Sequence, residues 1–269
     1  MQYDPLKRKL GKVFNKTPGF RRLFYRLLDL LLLRAWYVKR EIKAFLKDHK
    51  QPVKILDAGS GFGQYVYFMF RRFPAGEIEG LDVKKEQVKD CTLFFNRIDP
   101  DKRVHFSVQD LTHFVRPETY DFILCVDVME HIKEDEKVLS NYFRSLKPGG
   151  LLLISTPSDQ GGSDVHDNEE ESFIEEHVRD GYNSKDIREK LERSGFSRVE
   201  VYYSYGKPGQ IAWKLSMKIP IVVLNVSTLF FILLPFYYMV TWPVVYVLNW
   251  LDVHNYHKTG TGLIVKAWK

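Results

Sequence analysis

Three glycines at alternate positions, Gly59, Gly61 and Gly63, follow directly on an apolar, β-branched run at 53–56. Pro52 introduces that run, which reads as a short buried strand. From 64 to 73 the pattern turns helical, with Val66, Phe68, Met69 and Phe70 on the inner side. The segment is therefore a strand, a sharp turn and a helix N-terminus. With no Cβ in the way, a ligand can approach such a turn closely. The free N–H groups and the helix dipole are expected to face it. Dinucleotide enzymes use G-x-G-x-x-G, whereas the third glycine here comes one residue early. Taken alone, the turn also fits a tight connection with no ligand.

Downstream, strands and helices alternate. Residues 77–81 read as a strand ending at Asp82, and 84–97 as a helix. A third strand at 104–108 ends in Gln109-Asp110-Leu111, and a fourth at 121–126 runs into Asp127-Val128-Met129-Glu130-His131. A helix at 133–146 leads through Lys147-Pro148-Gly149-Gly150 to a fifth strand at 151–155. This order implies an α/β fold, a doubly wound parallel sheet with right-handed crossovers. Ligands of such sheets sit beyond the strand C-termini. The glycine turn, Asp82, Asp110 and residues 127–131 all fall at that rim. An acidic loop at 158–176, containing His166, precedes His177. A helix at 184–194 and strands at 199–205 and 263–267 follow, the two strands expected to pair antiparallel at the sheet edge.

Each station has a chemistry. Asp82, 23 residues after Gly59, can accept hydrogen bonds from both hydroxyls of a ribose, or cap the helix beginning at Lys84. Asp110 can accept from the exocyclic amine of an adenine while the Leu111 N–H faces a ring nitrogen, or it is simply a turn residue. Asp57 can orient the glycine loop or receive a ligand ammonium group. Cys125, in an apolar strand, reads as a small buried hydrophobe rather than a nucleophile.

These stations together resemble the class I S-adenosylmethionine-dependent methyltransferases. Asp57-Ala58-Gly59-Ser60-Gly61-Phe62-Gly63 is similar to that family's first motif, Asp82 to its ribose-binding acid and Gln109-Asp110-Leu111 to its adenine station. Val126-Asp127-Val128-Met129-Glu130-His131-Ile132 matches the motif after the fourth strand, and Lys147-Pro148-Gly149-Gly150 the turn before the fifth. The resemblance spans roughly 52–205 plus the last strand, and is strongest to the branch that includes the ubiquinone and menaquinone biosynthesis methyltransferases. It implies a Rossmann-like seven-stranded sheet in the order 3-2-1-4-5-7-6. It also implies S-adenosylmethionine as cofactor, held by Asp57, Gly59, Ser60, Gly61, Gly63, Asp82, Val83, Asp110, Leu111 and Asp127. Methyl transfer is an in-line displacement that chiefly needs alignment and exclusion of water. A hydroxyl acceptor also needs a base, for which His131 and His177 are the candidates because imidazole titrates near neutrality. Some quinone O-methyltransferases bind a divalent metal near this motif. Asp127, Glu130 and His131 offer ligands, but no clear metal spacing exists otherwise, so none is expected. The rival readings are a nucleotide-dependent oxidoreductase and a non-catalytic membrane adaptor that keeps the fold.

Charge and hydropathy divide the chain into three parts. Of 269 residues, the first 50 hold fourteen Lys/Arg against four Asp/Glu, so the net charge of +6 belongs to this end. Residues 1–50 are expected to be a basic arm carrying one amphipathic helix at 20–47, with Phe20, Leu23, Leu27, Leu31, Val38, Ile42 and Phe45 on one face and Arg34 and Trp36 breaking the pattern. Residues 51–206 with 259–269 form the methyltransferase-like domain. Residues 207–258, where that family has a tight hairpin, are an insertion whose stretch 219–251 contains no charged residue. Such a segment, broken by Pro220, Pro235 and Pro243, is expected to enter a membrane as a re-entrant or in-plane hairpin without crossing it. With two cysteines and no signal peptide carrying a cleavage site, the expected setting is the cytoplasmic face of a membrane. The expected partners are membrane lipids and a lipophilic small-molecule acceptor. No nucleic-acid recognition module is present, and no nucleic acid is expected.

Overall fold

The fourth strand carries apolar side chains at nearly every position rather than at alternate ones, and only a sheet covered on both faces can bury such a strand. The computed structural model of the chain describes residues 17–48, 52–161, 178–227 and 231–269. His177, His166 and residues 162–176 of the acidic stretch lie outside them. In chain order the elements are α1 (Pro18–Leu31), α2 (Leu33–Asp48), β1 (Lys54–Ala58), α3 (Gln64–Arg72), β2 (Glu77–Asp82), α4 (Lys85–Phe95), β3 (Val104–Val108) and β4 (Tyr120–Val126). A single 3-10 turn (Met129–His131), α5 (Asp135–Ser145), β5 (Leu146–Pro157), α6 (Ser184–Arg193) and β6 (Arg198–Ser204) follow. Then come α7 (Lys207–Trp213), a π-helical turn (Lys214–Lys218), α8 (Ile219–Val226), α9 (Leu234–His254) and β7 (Gly262–Trp268).

The sheet has seven strands in the order β3-β2-β1-β4-β5-β7-β6, as the resemblance implied. β1 lies parallel between β2 and β4, with Ile55 opposite Ile78 and Phe122. β7 runs antiparallel between β5 and β6, with Val265 opposite Ile154 and Val201. Neighbouring residues of one strand feed opposite cores. Ile55, Phe122 and Leu124 join Val38, Ile42, Phe45 and Met69 on one face. Leu56, Ile123 and Cys125 join Val138, Leu139, Ile187 and Leu191 on the other. Each such fully buried side chain contributes roughly 1.5–3 kcal/mol.

The single helix expected at 20–47 is two helices. Leu32 leaves helical geometry (φ −101°, ψ 107°) between them, and the break changes which face points inward. In α2, Val38, Ile42 and Phe45 are buried as the spacing predicts. In α1, Leu23 and Leu27 of the expected apolar face are exposed, while Arg21 and Tyr25 are buried. The reason is local: the polar ends of Arg21 and Tyr25 reach carbonyl oxygens beside the glycine turn that no leucine could satisfy.

The insertion is helical and folds back on itself. α7, the π turn and α8 form one limb and α9 the other, with the Tyr237 and Tyr238 hydroxyls donating to the carbonyls of Leu215 and Ser216, each at 2.7 Å. Its base is tied by the fully buried Asp252, which accepts from the Tyr37 hydroxyl (2.7 Å), Gly209 N (2.8 Å) and Tyr205 N (3.1 Å). Among the described residues no helix is long and apolar enough to cross a membrane.

Candidate active site

The glycine turn is shaped by its neighbours more than by its own flexibility. Gly59 has φ +87°, and a Cβ there would lie 2.2 Å from Cγ2 of Val128 on the far side of β4. Any other residue would be both strained and overlapped. Gly63 caps α3 in the left-handed region. Within the turn, the N–H groups of Gly59, Ser60, Gly61 and Gly63 have partners in the chain itself. Gly59 N and Ser60 N both donate to Leu81 O, at 2.9 and 2.7 Å, and Gly61 N donates to Asp82 Oδ2 at 2.9 Å. The turn is stapled to the end of β2, because buried backbone donors must find partners.

Asp82 does not cap the helix after β2, whose N-cap is Lys84 without a side-chain cap bond; it braces the chain between turn and helix. Its Oδ1 accepts from Lys84 N at 2.8 Å while Oδ2 holds the turn. Each carboxylate oxygen keeps a second lone pair for a ligand hydroxyl. Val83 beside it is exposed. Asp57 is buried, and its Oδ2 has no hydrogen-bond partner among the described residues; the same is true of the Ser60 hydroxyl. Burial, with the negative charge of Asp82 adding to it, pushes the Asp57 carboxyl up to about 8.

Gln109 N donates to Asp82 O at 3.2 Å, which sets the next station beside the first. Asp110 is exposed and forms a tight turn, its Oδ1 accepting from the Thr112 hydroxyl and N–H at 2.7 and 2.8 Å. Those bonds hold its carboxyl below the usual carboxylate range. Leu111 is buried, and its carbonyl accepts from Asn141 Nδ2 at 2.9 Å.

The rim beyond β4 is closed from outside the sheet. Asp127, at φ +50°, is ion-paired with the Arg34 guanidinium of α2. Arg34 N in turn donates to the Tyr205 hydroxyl at 3.0 Å. The Tyr65 hydroxyl of α3 is buried without a hydrogen-bond partner among the described residues. His131 is half-buried in the 3-10 turn. Its neighbour Glu130 is buried, accepts from the Thr156 hydroxyl at 3.1 Å, and has its carboxyl raised by burial. Among the described residues no group of three or more His, Cys, Asp or Glu side chains could hold a metal ion. Burial raises the Cys125 thiol to about 12, in keeping with a packing role.

Asp57, the glycine turn, Asp82, Val83, Asp110, Leu111, Asp127 and His131 thus all stand at the C-terminal ends of β1–β4. Sequence reasoning missed Arg21, Tyr25, Arg34, Tyr65 and Tyr205. For Arg34 a signal existed, a cation interrupting an apolar helical face. For the others only the fold shows what they face.

Residues 31–201 match a family model described as "Methyltransferase domain". Over 150 residues the chain is 24% identical to malonyl-[acyl-carrier protein] O-methyltransferase 2 of Ilyobacter polytropus, covering 56% of this chain and 54% of that one. A ubiquinone biosynthesis O-methyltransferase of Psychrobacter arcticus is 25% identical over 58% of this chain and 62% of its own length. The chain therefore spans less than two thirds of these relatives. Among solved structures, Haemonchus contortus phosphoethanolamine N-methyltransferase 2 in complex with S-adenosyl-L-methionine superposes with a TM-score of 0.60 at 22% identity, covering 87% of this chain and 52% of that one.

Proposed function

The chain belongs to the methyltransferase-domain family, with the seven-stranded class I sheet, and from that premise we propose that it transfers a methyl group from S-adenosylmethionine to a lipophilic small molecule at a membrane surface. The observation that carries the cofactor half is the pair of buried oxygens, Asp57 Oδ2 and Ser60 Oγ, that have no hydrogen-bond partner among the described residues, beside a carboxylate stapled to the glycine turn. Buried polar atoms without partners are uncommon, and these stand where ligands of doubly wound sheets bind.

The residues fit that cofactor. Asp82 offers acceptor oxygens to ribose hydroxyls, Val83 and Leu111 an apolar edge, Asp110 an acceptor for an exocyclic amine, and Asp57 a carboxylate toward a cationic group. S-adenosylmethionine supplies, when bound, a methyl group on an electrophilic sulfonium. The chain's own work is to orient the acceptor, exclude water and hold the released proton. Arg34 and Asp127 close the rim, and His131 is the base for a hydroxyl acceptor. His177 is a second candidate from the sequence.

The acceptor half of the proposal rests on the insertion. Phe231, Ile232, Phe236, Met239, Val240 and Val247 are exposed on it, and large exposed apolar side chains grouped on one element suit a membrane or partner surface. In this reading the two limbs lie in the bilayer interface and do not cross, and the domain faces the reducing, cytoplasmic side, which suits the free, buried Cys91 and Cys125. The test is methyl transfer from tritiated S-adenosylmethionine into membrane lipid extracts. Label in the organic phase, lost with Asp82→Ala and lowered by about 10²–10⁴ with His131→Ala, is expected. Label only in water-soluble products would overturn the lipophilic acceptor. Oxidation of a nicotinamide with no transfer would overturn the reaction class.

A further inference from the structure

The helix that clamps the glycine turn is the same helix that turns an apolar face outward. On its inner side, Arg21 is 2% exposed and reaches three parts of the cofactor end of the sheet. Its Nη2 donates to Phe62 O (2.8 Å) and to Cys91 Sγ (3.1 Å), and its Nη1 to Asp90 O (3.0 Å). Its Nε donates to the Tyr25 hydroxyl (2.7 Å), which itself donates to Phe62 O (2.6 Å). Phe62 lies between Gly61 and Gly63, so α1 fixes the back of the turn just as Asp82 fixes its front.

Among the described residues the outer side of α1 has no comparable support. Phe20, Leu23, Leu27 and Leu30 are 37–49% exposed and form one stripe at helical spacing. Arg22 and Arg26, both exposed, lie one turn apart along one edge of that stripe. A stripe of leucine and phenylalanine edged by arginine matches the interface of an anionic bilayer, apolar below and negatively charged above. The surplus of basic residues in the first 50 positions, fourteen against four, has the same complement.

We propose that α1 couples membrane contact to cofactor binding. Seating its outer stripe in an anionic bilayer holds the helix in place, and through Arg21 and Tyr25 that fixes the glycine turn in the geometry that takes the cofactor. By linkage, bound cofactor strengthens attachment by the same factor. The proposal rests on the membrane-surface reading above and adds a regulated step to it.

The experiment uses the full chain and vesicles of phosphatidylcholine with one-third phosphatidylglycerol. Binding of S-adenosylhomocysteine is measured by calorimetry with and without saturating vesicles, and attachment by cosedimentation. The expected result is a Kd at least about fivefold lower on vesicles, the lower end of usual coupling strengths, with half-attachment shifted equally by saturating ligand. Leu23→Asp/Leu27→Asp, which touches only the outer stripe, is expected to keep the vesicle-free Kd and lose the shift. Arg22→Glu/Arg26→Glu serves as a second variant and is expected to weaken attachment to the anionic vesicles. Attachment of the native chain with an unchanged Kd would overturn the coupling and leave the membrane reading standing, as would a shift that survives both variants. A chain that binds ligand but no vesicles would overturn both, and one that binds no ligand would overturn the methyltransferase reading beneath them.

Discussion

Gly61 and Asp82 are joined by a 2.9 Å hydrogen bond from the glycine N–H to the carboxylate, while the other oxygen of the same carboxylate holds Lys84 N at 2.8 Å. One side chain thus spans the turn after β1 and the helix after β2. Whatever binds between them meets a surface set before it arrives.

Replacing Asp82 with alanine removes the brace and a ligand acceptor together. A hydrogen bond to a charged group contributes about 1.5–3 kcal/mol, so Asp82→Ala is expected to weaken S-adenosylmethionine binding by about 10- to 150-fold. Calorimetry on the folded variant checks this, and unchanged affinity would refute the role.

Gly59→Ala tests the packing of the turn against the far side of β4. The added methyl would overlap Val128 in a backbone region that costs an L-residue about 1–2 kcal/mol, and overpacking adds typically 1–3 kcal/mol. A loss of about 2–5 kcal/mol is expected in chemical denaturation. Val128→Ala in the same chain should recover the steric part and not the backbone part. No recovery would mean that the turn and Val128 do not meet.

The pH dependence of stability should carry the signature of Asp57. Its carboxyl is raised to about 8 in the folded chain, against about 3.9 when unfolded. Between those values the native state holds more protons than the unfolded state, so this group's contribution falls as pH rises and levels off above about 8. Asp57→Asn cannot ionise. Its melting temperature should gain on that of the native chain, cofactor-free, across pH 4 to 8. Parallel melting curves over that range would contradict the assignment.

Asp252 should be indispensable to the base of the insertion. Removing one partner from a buried, charged cluster costs about 3–5 kcal/mol, and Asp252→Ala leaves the Gly209 and Tyr205 N–H groups without their carboxylate acceptor, while the Tyr37 hydroxyl keeps only the backbone carbonyl of residue 252. Limited proteolysis near 205–210 should appear in the variant before cleavage elsewhere. A native digestion pattern would argue that the insertion is held by its apolar contacts alone.

The sheet was legible because its information is periodic and local. Continuous apolar strands, glycine-rich turns and acids at strand ends repeat along the sequence, and the pairing of β6 with β7 follows from their isolation at the C-terminal end. At α1 the apolar stripe with Leu23 and Leu27 was legible, but the buried face, which Arg21 and Tyr25 occupy, was not. Hydropathy counts apolar atoms and is blind to a carbonyl such as that of Phe62, which a distant donor must satisfy. The same blindness hid Tyr205, whose partner Arg34 lies far along the chain. It also hid the acceptors of the Gly59, Ser60 and Gly61 N–H groups, because only the folded register brings Leu81 O and Asp82 beneath them.

Ser204 and Gly262 are cross-strand partners, so the whole excursion between them begins and ends within one hairpin register. Closing a loop costs entropy that grows only with the logarithm of its length, about 0.6 kcal/mol for each doubling. Lengthening a tight turn of a few residues into this insertion therefore costs the sheet only about 2–3 kcal/mol. Pinning Gly209 and Tyr37 to Asp252 divides the excursion into shorter closures and offsets part of that cost. The strands are thus nearly indifferent to what hangs from their ends, and an ancestral domain could exchange one acceptor-handling appendage for another without refolding its centre.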